Sequence, residues 1–401
     1  MNPFKIRSLP LVLTMMLVAA APLGPSRAND TFEKWVAELW PQARAKGVSR
    51  QTFEAAFSGV TFDPGVIESA EYQPEFVKPI WEYLDRAVTD KRVYNGREML
   101  RSYANVLNTI EAVYGVDRHI VMAVWGMESS YGQFLGEKSV IRSLATLGYR
   151  GRRTRFGRTQ LLAALMILER GDTGPERMIG SWAGAMGHTQ FIPTTYNVYA
   201  VDFDGDGRRD IWDTVADALA STANYLRASG WRPGQPWGSE VVLPKGFDYE
   251  LADQGARPVS QWQRLGVRRP GGGALTHGGE KATLILPAGA HGPAFLVFSN
   301  FKAILRYNNA TAYALAVGHL ADRIRGEAAL AGVWPTGDRP LTDAETRQLQ
   351  ELLAARGYPV GAIDGIIGAR TRLAIRAFQR AAGLPPDGYA SAQLLERLQN
   401  S

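Results

Sequence analysis

The feature that most constrains the fold of this chain is an acidic loop of twelve residues, 202–213. Five aspartates fall at positions 1, 3, 5, 9 and 12 of the loop, and Gly207 stands at position 6. This spacing is that of a helix–loop–helix calcium site, in which Gly allows the sharp turn. Because five close carboxylates repel one another without a cation, we expect a structural Ca²⁺ ion. By this spacing the ligand positions 1, 3, 5, 7, 9 and 12 are held by Asp202, Asp204, Asp206, Arg208 (through its backbone carbonyl), Asp210 and Asp213.

The last position of the loop departs from the usual pattern, because Asp213 stands where a longer Glu is typical. A shorter carboxylate is expected to bind with one oxygen and more weakly. An acidic glycine turn without an ion is the alternative interpretation. Helices are expected on both sides of the loop, over residues 193–200 and 214–229.

Glu128 is the candidate catalytic residue. Asp117 is expected to cap a helix on which Val121, Trp125 and Glu128 fall at i, i+4 and i+7, on one face. A carboxyl group on an apolar face is poorly solvated when charged, so its pKa should rise and it should remain protonated near neutral pH. Such a group can act as a general acid. The alternative is a Glu that lies in water or pairs with an Arg.

Candidate binding residues lie in two other segments. The small residues of 183–187 let a polymer approach the backbone, and Gln190 supplies an amide that can bind a sugar N-acetyl group. Tyr307 can stack on a sugar ring, with Asn308 beside it. Close helix packing, a surface amide and a core tyrosine are the corresponding structural alternatives. No histidine has a partner at triad or metal spacing, so none is assigned a role.

The first 28 residues predict a secretory signal peptide. Lys5 and Arg7 precede an apolar run over 9–21, which is too short to span a membrane, and cleavage is expected after Ala28. The mature chain is therefore expected to be exported and soluble, without a membrane anchor. The formal charge of +6 falls by three when Lys5, Arg7 and Arg27 are removed, which disfavours nucleic acid as a partner. Without cysteine, the chain has no disulfide and no lipid-attachment thiol.

A length of 401 residues indicates two or more domains. Residues 29–325 have mostly helical patterns, interrupted over 231–299 by a segment rich in Pro and Gly that contains three β-type runs. Residues 326–340 are predicted to be a linker. Residues 341–401 predict a compact helical module, which begins with a capping box of Thr342 and Glu345.

Five segments in order carry a family resemblance. The segments are 125–132 (Trp-Gly-Met-Glu-Ser-Ser-Tyr-Gly), 143–147, 180–193 (Gly-Ser-Trp-Ala-Gly-Ala-Met-Gly-His-Thr-Gln-Phe-Ile-Pro), the acidic loop, and 306–309. Through them, residues 30–325 resemble the catalytic region of the B-type lytic murein transglycosylases. Residues 341–400, with Asp364-Gly365, Phe378-Gln379 and Asp387-Gly388, resemble a three-helix peptidoglycan-binding module.

The resemblance implies a mainly α fold, with a lysozyme-like α+β catalytic domain, a small β insertion and the C-terminal three-helix module. It implies cleavage of peptidoglycan in the periplasm, with formation of 1,6-anhydromuramic acid. Glycan strands and stem peptides would be the partners. The only cofactor would be Ca²⁺, whose family site the acidic loop matches through Asp202, Asp204, Asp206, the Arg208 carbonyl and Asp213. Glu128 matches the family's single acid/base, Ser181 a serine near the substrate N-acetyl group, and Gln190, Tyr307 and Asn308 match residues of the sugar cleft. A muramidase that hydrolyses the same bond and a non-catalytic murein-binding scaffold are the alternatives.

Overall fold

The computed structural model describes residues 25–71, 79–252 and 254–401. The predicted signal peptide, residues 1–28, lies almost entirely outside the described residues. Among the described residues, every helix is too short or too polar to span a lipid bilayer.

Helices dominate the region before the insertion, as the sequence predicts, and a two-stranded antiparallel pairing accompanies them. The elements are α1 Pro25–Glu38, α2 Trp40–Ala45, α3 Arg50–Phe57, α4 Pro64–Glu71, α5 Ile80–Ala87, α6 Asp90–Ser102, α7 Ala104–Tyr114, α8 Arg118–Ser129, β1 Lys138–Ser139, α9 Val140–Tyr149, α10 Thr154–Arg170, β2 Ile179–Gly180, α11 Pro193–Tyr199 and α12 Val215–Ala228.

Helix α8 lies at the centre of the main helical region. It follows Gly115, whose left-handed backbone ends α7, and the carboxylate of Asp117 accepts a hydrogen bond of 2.7 Å from the amide of His119. This confirms the predicted N-cap. Seven consecutive residues, 120–126, are buried, so the apolar surface extends around the helix and is wider than the single predicted face. A helix with this pattern belongs in the interior of a domain.

The segment after α12 forms a small antiparallel sheet, as the three β-type runs predict. Its strands are β3 Gly238–Val241, β4 Arg257–Pro258, β5 Lys281–Ile285 and β6 Ala294–Val297, in the order β3-β6-β5-β4, with α13 Val259–Arg264 between β4 and β5. A separate core covers one face of the sheet: alternate strand residues such as Leu284 share it with Trp262 of α13, and both side chains are fully buried. The chain then returns to the main helical region through α14 Ser299–Tyr307 and α15 Thr311–Arg325.

Residues 326–340 contain no helix and pack against the body of the protein. The carboxylate of Glu240 accepts hydrogen bonds from the amides of Ala331 and Gly332, at 2.8 and 2.6 Å. The ring of Trp334 stacks on Phe295 at 6.5 Å between centroids. These contacts fix the segment that the sequence predicts to be a linker.

The C-terminal module is a bundle of α16 Asp343–Ala355, α17 Ala369–Ala381 and α18 Ala392–Gln399. The predicted capping box of Thr342 and Glu345 begins α16. A separate apolar core lies between the three helices and includes Leu349, Ile375 and Leu398, all fully buried.

Candidate active site

Glu128 lies near the end of α8, where this helix meets the start of α15. Its Oε1 accepts a hydrogen bond of 2.5 Å from the hydroxyl of Tyr313. Burial raises the pKa of the Glu128 carboxyl from 4.5 to about 7, while the Tyr313 hydrogen bond, which favours the charged form, opposes that shift. A carboxyl group with a pKa near 7 populates both protonation states at neutral pH. It can therefore donate a proton and later accept one.

Tyr313 is a site residue that sequence reasoning does not find. It lies in the first turn of α15 and is only 3% exposed. Burial, together with the nearby Glu128, raises the pKa of its phenol well above the usual value, so the hydroxyl remains protonated and donates to the carboxylate. The sequence feature that could have identified Tyr313 is its hydroxyl on an apolar helix face. When such a tyrosine is buried, its hydroxyl needs a hydrogen-bond partner.

Tyr307 connects α14 to the loop that contains the small residues. Its hydroxyl donates to the Thr189 carbonyl at 2.7 Å, and its ring packs against Tyr225 and Phe191 at 5.0 and 5.7 Å between centroids. Burial raises the pKa of the Tyr307 phenol well above its usual value, and the charge on Glu128 adds to this effect, which places both groups in one electrostatic environment. Asn308 follows α14 as its C-cap and is exposed.

Ser181 and Gln190 lie at the two ends of this loop. The Oγ of Ser181 accepts hydrogen bonds from the amides of Ala183 and Ala185, at 3.3 and 3.1 Å. The side-chain amide of Gln190 donates to the carbonyls of Gly187 and Leu135, at 2.9 and 3.2 Å. The Ser181 hydroxyl hydrogen and the Gln190 amide oxygen are the groups that these contacts leave for other partners.

His188 is buried against α8. Its Nδ1 accepts a hydrogen bond of 2.9 Å from the Trp125 indole, and its carbonyl accepts one of 3.0 Å from the Ser129 hydroxyl. Its amide donates to the carbonyl of Ile211 in the acidic loop at 2.9 Å. Burial lowers the pKa of the imidazole, which favours the neutral form that accepts from Trp125. His188 therefore connects α8 to the acidic loop, a role that its sequence context does not reveal.

The acidic loop brings together three carboxylates, those of Asp202, Asp204 and Asp217, with oxygens within 4.8 Å of one another. Asp217 lies in the first turn of α12, outside the twelve-residue loop, and was not predicted. Asp206 instead pairs with Arg208 at 3.1 Å, and Asp213 forms an ion pair with Arg177.

These three carboxylates fit a calcium ion. Oxygen ligands are what Ca²⁺ prefers, and Asp217 is completely buried. Burial raises the pKa of Asp217 to about 6, and the neighbouring charge of Asp204 adds to this effect. A cation at the centre of the three groups would offset both the cost of burying a charged Asp217 and the repulsion between Asp217 and Asp204.

The family to which the chain belongs follows from its matches. A transglycosylase SLT domain model matches residues 31–322, and a putative peptidoglycan binding domain model matches residues 342–398. The first match covers more than half of the chain. The chain therefore belongs to the SLT transglycosylase family, a class of lytic enzymes that act on peptidoglycan, and carries a peptidoglycan-binding domain. The predicted family and the lysozyme-like, mainly helical fold class are confirmed.

Solved relatives extend this comparison. SltB3 from Pseudomonas aeruginosa is 56% identical, with a TM-score of 0.88, over 92% of this chain and 99% of its own. Its crystal structures are complexes with NAG-anhNAM-pentapeptide and NAG-NAM-pentapeptide. The Escherichia coli lytic transglycosylase SLT35, solved in complex with calcium, is 29% identical with a TM-score of 0.60, over 74% of this chain and 93% of its own.

A curated relative is membrane-bound lytic murein transglycosylase B of Escherichia coli (strain K12). It is 33% identical over 250 residues, which are 60% of this chain. The chain spans 66% of the length of that protein.

Proposed function

We propose that this protein cleaves the bond between N-acetylmuramic acid and N-acetylglucosamine in peptidoglycan, with formation of 1,6-anhydromuramic acid, in cell-wall remodelling or turnover. The observation that carries the proposal is the half-buried Glu128, with its pKa raised to about 7 and its hydrogen bond from Tyr313. The anhydro sugar bound by the 56% identical SltB3 supports the same reaction.

One carboxyl group performs both proton transfers in this mechanism. Protonated Glu128 donates to the oxygen of the glycosidic bond, and the substrate's N-acetyl oxygen stabilises the positive charge that develops at C1. Glu128, now a base, takes the proton of the C6 hydroxyl, whose oxygen closes the 1,6-anhydro ring. Tyr313 keeps the carboxylate oriented between the two transfers by donating to Oε1.

Hydrolysis of the same bond is the second candidate reaction. Most glycosidases use two carboxyl groups that flank the bond. Within the described part of the chain, burial and Tyr313 account for the Glu128 pKa shift, and no second carboxylate contributes. This favours the transglycosylase over a muramidase, and the intact Glu128–Tyr313 pair favours either enzyme over a non-catalytic scaffold.

The mass of the product tests this choice. We expect digestion of purified peptidoglycan to release muropeptides that end in the anhydro sugar, lighter by one water than the hydrolytic products. Mass spectrometry with reduction by borohydride separates the two, because only the hydrolytic product has a reducing end. Products that borohydride reduces would show that the protein is a muramidase. The absence of any product would show that it is a non-catalytic scaffold.

The substrate contacts in this proposal come from four residues. The Ser181 hydroxyl donates to the N-acetyl oxygen, and the amide oxygen of Gln190 accepts from an N–H of the substrate. The exposed amide of Asn308 and the ring edge of Tyr307 line the sugar cleft. Glycan strands and their stem peptides are the partners of the protein. The sequence of residues 1–28 supports export to the periplasm.

A structural Ca²⁺ ion in the acidic loop is also part of the proposal. Asp202 and Asp204 supply carboxylates, as the sequence predicts, and Asp217 completes the group. Asp206, Asp213 and the Arg208 carbonyl remain candidate ligands from the spacing of the loop. The calcium complex of SLT35 supports the ion. Calcium would hold the loop to α12, while the loop holds α8 through His188.

Replacement of Tyr313 by Phe is expected to move the pH dependence of cleavage. The hydrogen bond lowers the pKa of Glu128, so its loss raises this pKa above 7. The acid must be protonated, so kcat/KM falls as pH rises through this pKa. The falling limb should therefore move to higher pH by about one unit, equivalent to about 1.4 kcal/mol.

The control variant is Tyr225→Phe, which loses a hydroxyl bonded to the Arg306 carbonyl. In this variant the falling limb should stay at the pH of the wild type. If kcat/KM falls at the same pH in the wild type and in Tyr313→Phe, the proposed effect of Tyr313 on the pKa of Glu128 is refuted.

A further inference from the structure

The backbone turns sharply at Ser130, two residues after Glu128, where α8 ends. Ser130 and Tyr131 both lie in the left-handed region, at φ values of 49° and 61°. In the described part of the chain, the other non-glycine residues with a positive φ are Gln190 and His277. Residues other than glycine are strained in this region, and such strain persists only where the surrounding structure imposes it. The turn after Glu128 is therefore held in place by its contacts.

Backbone hydrogen bonds end the helix at this turn. The amide of Ser130 donates to the Gly126 carbonyl at 3.2 Å, and the amide of Tyr131 donates to the Trp125 carbonyl at 3.3 Å. Glycine usually occupies the left-handed position of such a helix end. The Tyr131 ring packs edge-on against the Trp125 indole, with 5.6 Å between the centroids. The packing of Tyr131 therefore supports a turn that glycine would form without strain.

Two glycines leave room for the Tyr131 ring. A Cβ added at Gly126 in α8 would lie 2.6 Å from Cζ and from the hydroxyl oxygen of Tyr131. A Cβ added at Gly96 in α6 would lie 2.5 Å from the same oxygen. Glycine in the interior of a helix is destabilising relative to alanine, yet both helices contain it where the Tyr131 ring needs the space. The ring is thus wedged between α8 and α6 and is only 7% exposed.

The hydroxyl of Tyr131 is fixed by α6. It donates to the Arg92 carbonyl at 2.9 Å. Burial raises the pKa of the phenol well above its usual value, so the hydroxyl remains a donor. The Arg92 guanidinium donates to the carbonyls of Arg86 and Ala87 at the end of α5, and to the Ser130 hydroxyl at 3.4 Å. Arg92 and Tyr131 therefore connect the turn after α8 to both α5 and α6.

We propose that Tyr131 is a positioning residue that holds the last turn of α8, so that the Glu128 carboxyl meets the Tyr313 hydroxyl. The inference rests on the proposed function. Glu128 lies in the turn that Tyr131 covers, because the ring lies against Trp125 and over Gly126. Tyr313 belongs to α15, so its hydrogen bond of 2.5 Å with Glu128 joins two helices and depends on how α8 is rotated.

The effect on catalysis follows from the precision that proton transfer needs. A displacement of about 1 Å can lower the rate by about 10²-fold. A displaced last turn would also weaken the hydrogen bond from Tyr313, which lowers the pKa of Glu128. Tyr307 and Tyr313 are the titratable groups that interact electrostatically with Glu128, and both stay neutral because their pKa values are raised well above the usual value. The pKa of Glu128 therefore reports the position of its carboxyl group.

The test is the variant Tyr131→Phe of the full chain, which keeps the ring and removes the hydrogen bond to α6. We expect kcat to fall about tenfold because Glu128 is less precisely placed, with KM unchanged because the substrate-binding groups remain. The falling limb of kcat/KM should move to higher pH by about half a unit. In the double variant Tyr131→Phe/Tyr313→Phe the limb should lie where it lies in Tyr313→Phe alone, since both changes act on one hydrogen bond.

A second variant, Gly126→Ala, displaces the ring and keeps its hydroxyl. It should also lower kcat with KM unchanged, although alanine normally favours a helix. The control is Tyr103→Phe, whose ring also packs on Trp125 at 5.6 Å and which lies outside the left-handed turn. This control should keep the kcat, KM and pH profile of the wild type.

Infrared titration of the Glu128 carboxyl supplies a readout that does not need cleavage, since difference spectra against Glu128→Gln isolate its band. The pKa of Glu128 should rise in Tyr131→Phe and stay unchanged in Tyr103→Phe. An unchanged Glu128 pKa in Tyr131→Phe, a fall in Tm alone, or shifts that add in the double variant would overturn the proposal. A raised Glu128 pKa in a protein that releases no anhydro product would reject the proposed reaction and retain the positioning role of Tyr131.

Discussion

Replacement of Glu128 by Gln is expected to abolish cleavage of peptidoglycan while the protein remains folded and binds glycan. The amide has nearly the same shape as the carboxyl group but transfers no proton. Loss of a general acid or base costs on the order of 10²–10⁴ in rate, and the loss should be larger here because one group performs both transfers. The rate of anhydro-muropeptide release measures the effect. An activity close to that of the wild type would refute the assignment of Glu128.

Thermal unfolding of the same variant provides a control that separates catalysis from folding. The folded-state pKa of Glu128 is about 7, above its ordinary value of 4.5. The folded protein therefore binds more protons than the unfolded chain between these values, and its stability falls as pH rises through this window. The variant has no such penalty, so at pH 8 its Tm should equal or exceed that of the wild type. Glu137→Gln, at an exposed position after the same helix, should retain full activity.

The helical elements and the inserted sheet were predictable because their signals are local. Asp117 caps α8 whatever the rest of the chain does, and the β-type runs are short apolar stretches in a segment rich in Pro and Gly, a pattern typical of buried strands. Glu128 was predictable for a related reason. The apolar residues that share its helix face lie within two helical turns of it in the sequence. The increase in its pKa follows from this apolar environment.

Contacts between distant segments account for what the sequence did not reveal. The hydroxyl of Tyr313 reaches Glu128 across 185 residues, and the His188 ring reaches Trp125 across 63. Neither pairing has a fixed spacing. Asp217 lies beyond the loop whose spacing predicted calcium, and only the turn of the chain into α12 brings it back.

Composition was also a weak guide to residues 326–340. Their Gly and Pro content predicts a linker but not its contacts: Trp334 stacks on Phe295 and lies close to Trp81. One aromatic side chain buries enough apolar area to order a short segment of this kind. A docked module restricts where the bound peptidoglycan lies relative to Glu128, whereas a tethered module would only raise its local concentration.

Removal of calcium is expected to lower Tm well before it lowers activity at moderate temperature. An ion that binds only the folded state stabilises it by about 2.7 kcal/mol at a hundredfold excess over its Kd. The gain should shrink below pH 6, because the pKa of Asp217 is about 6 without the ion and a protonated carboxyl is a poor ligand. Differential scanning calorimetry with calcium and with a chelator, at pH 5 and pH 7.5, measures both effects. An unchanged Tm at pH 7.5 would exclude a stabilising ion in the loop.

Two matched variants distinguish the carboxylate that completes the site. Asp217 lies with Asp202 and Asp204, whereas Asp213 pairs with Arg177. Asp217 also accepts hydrogen bonds from the amides of Phe203 and Asp210, so Asp217→Asn will destabilise even the calcium-free protein. The informative quantity is therefore the difference in Tm with and without calcium within each variant. This difference should nearly vanish in Asp217→Asn and persist in Asp213→Asn; the opposite pattern would show that Asp213, at the twelfth position of the loop, is the carboxylate that completes the site.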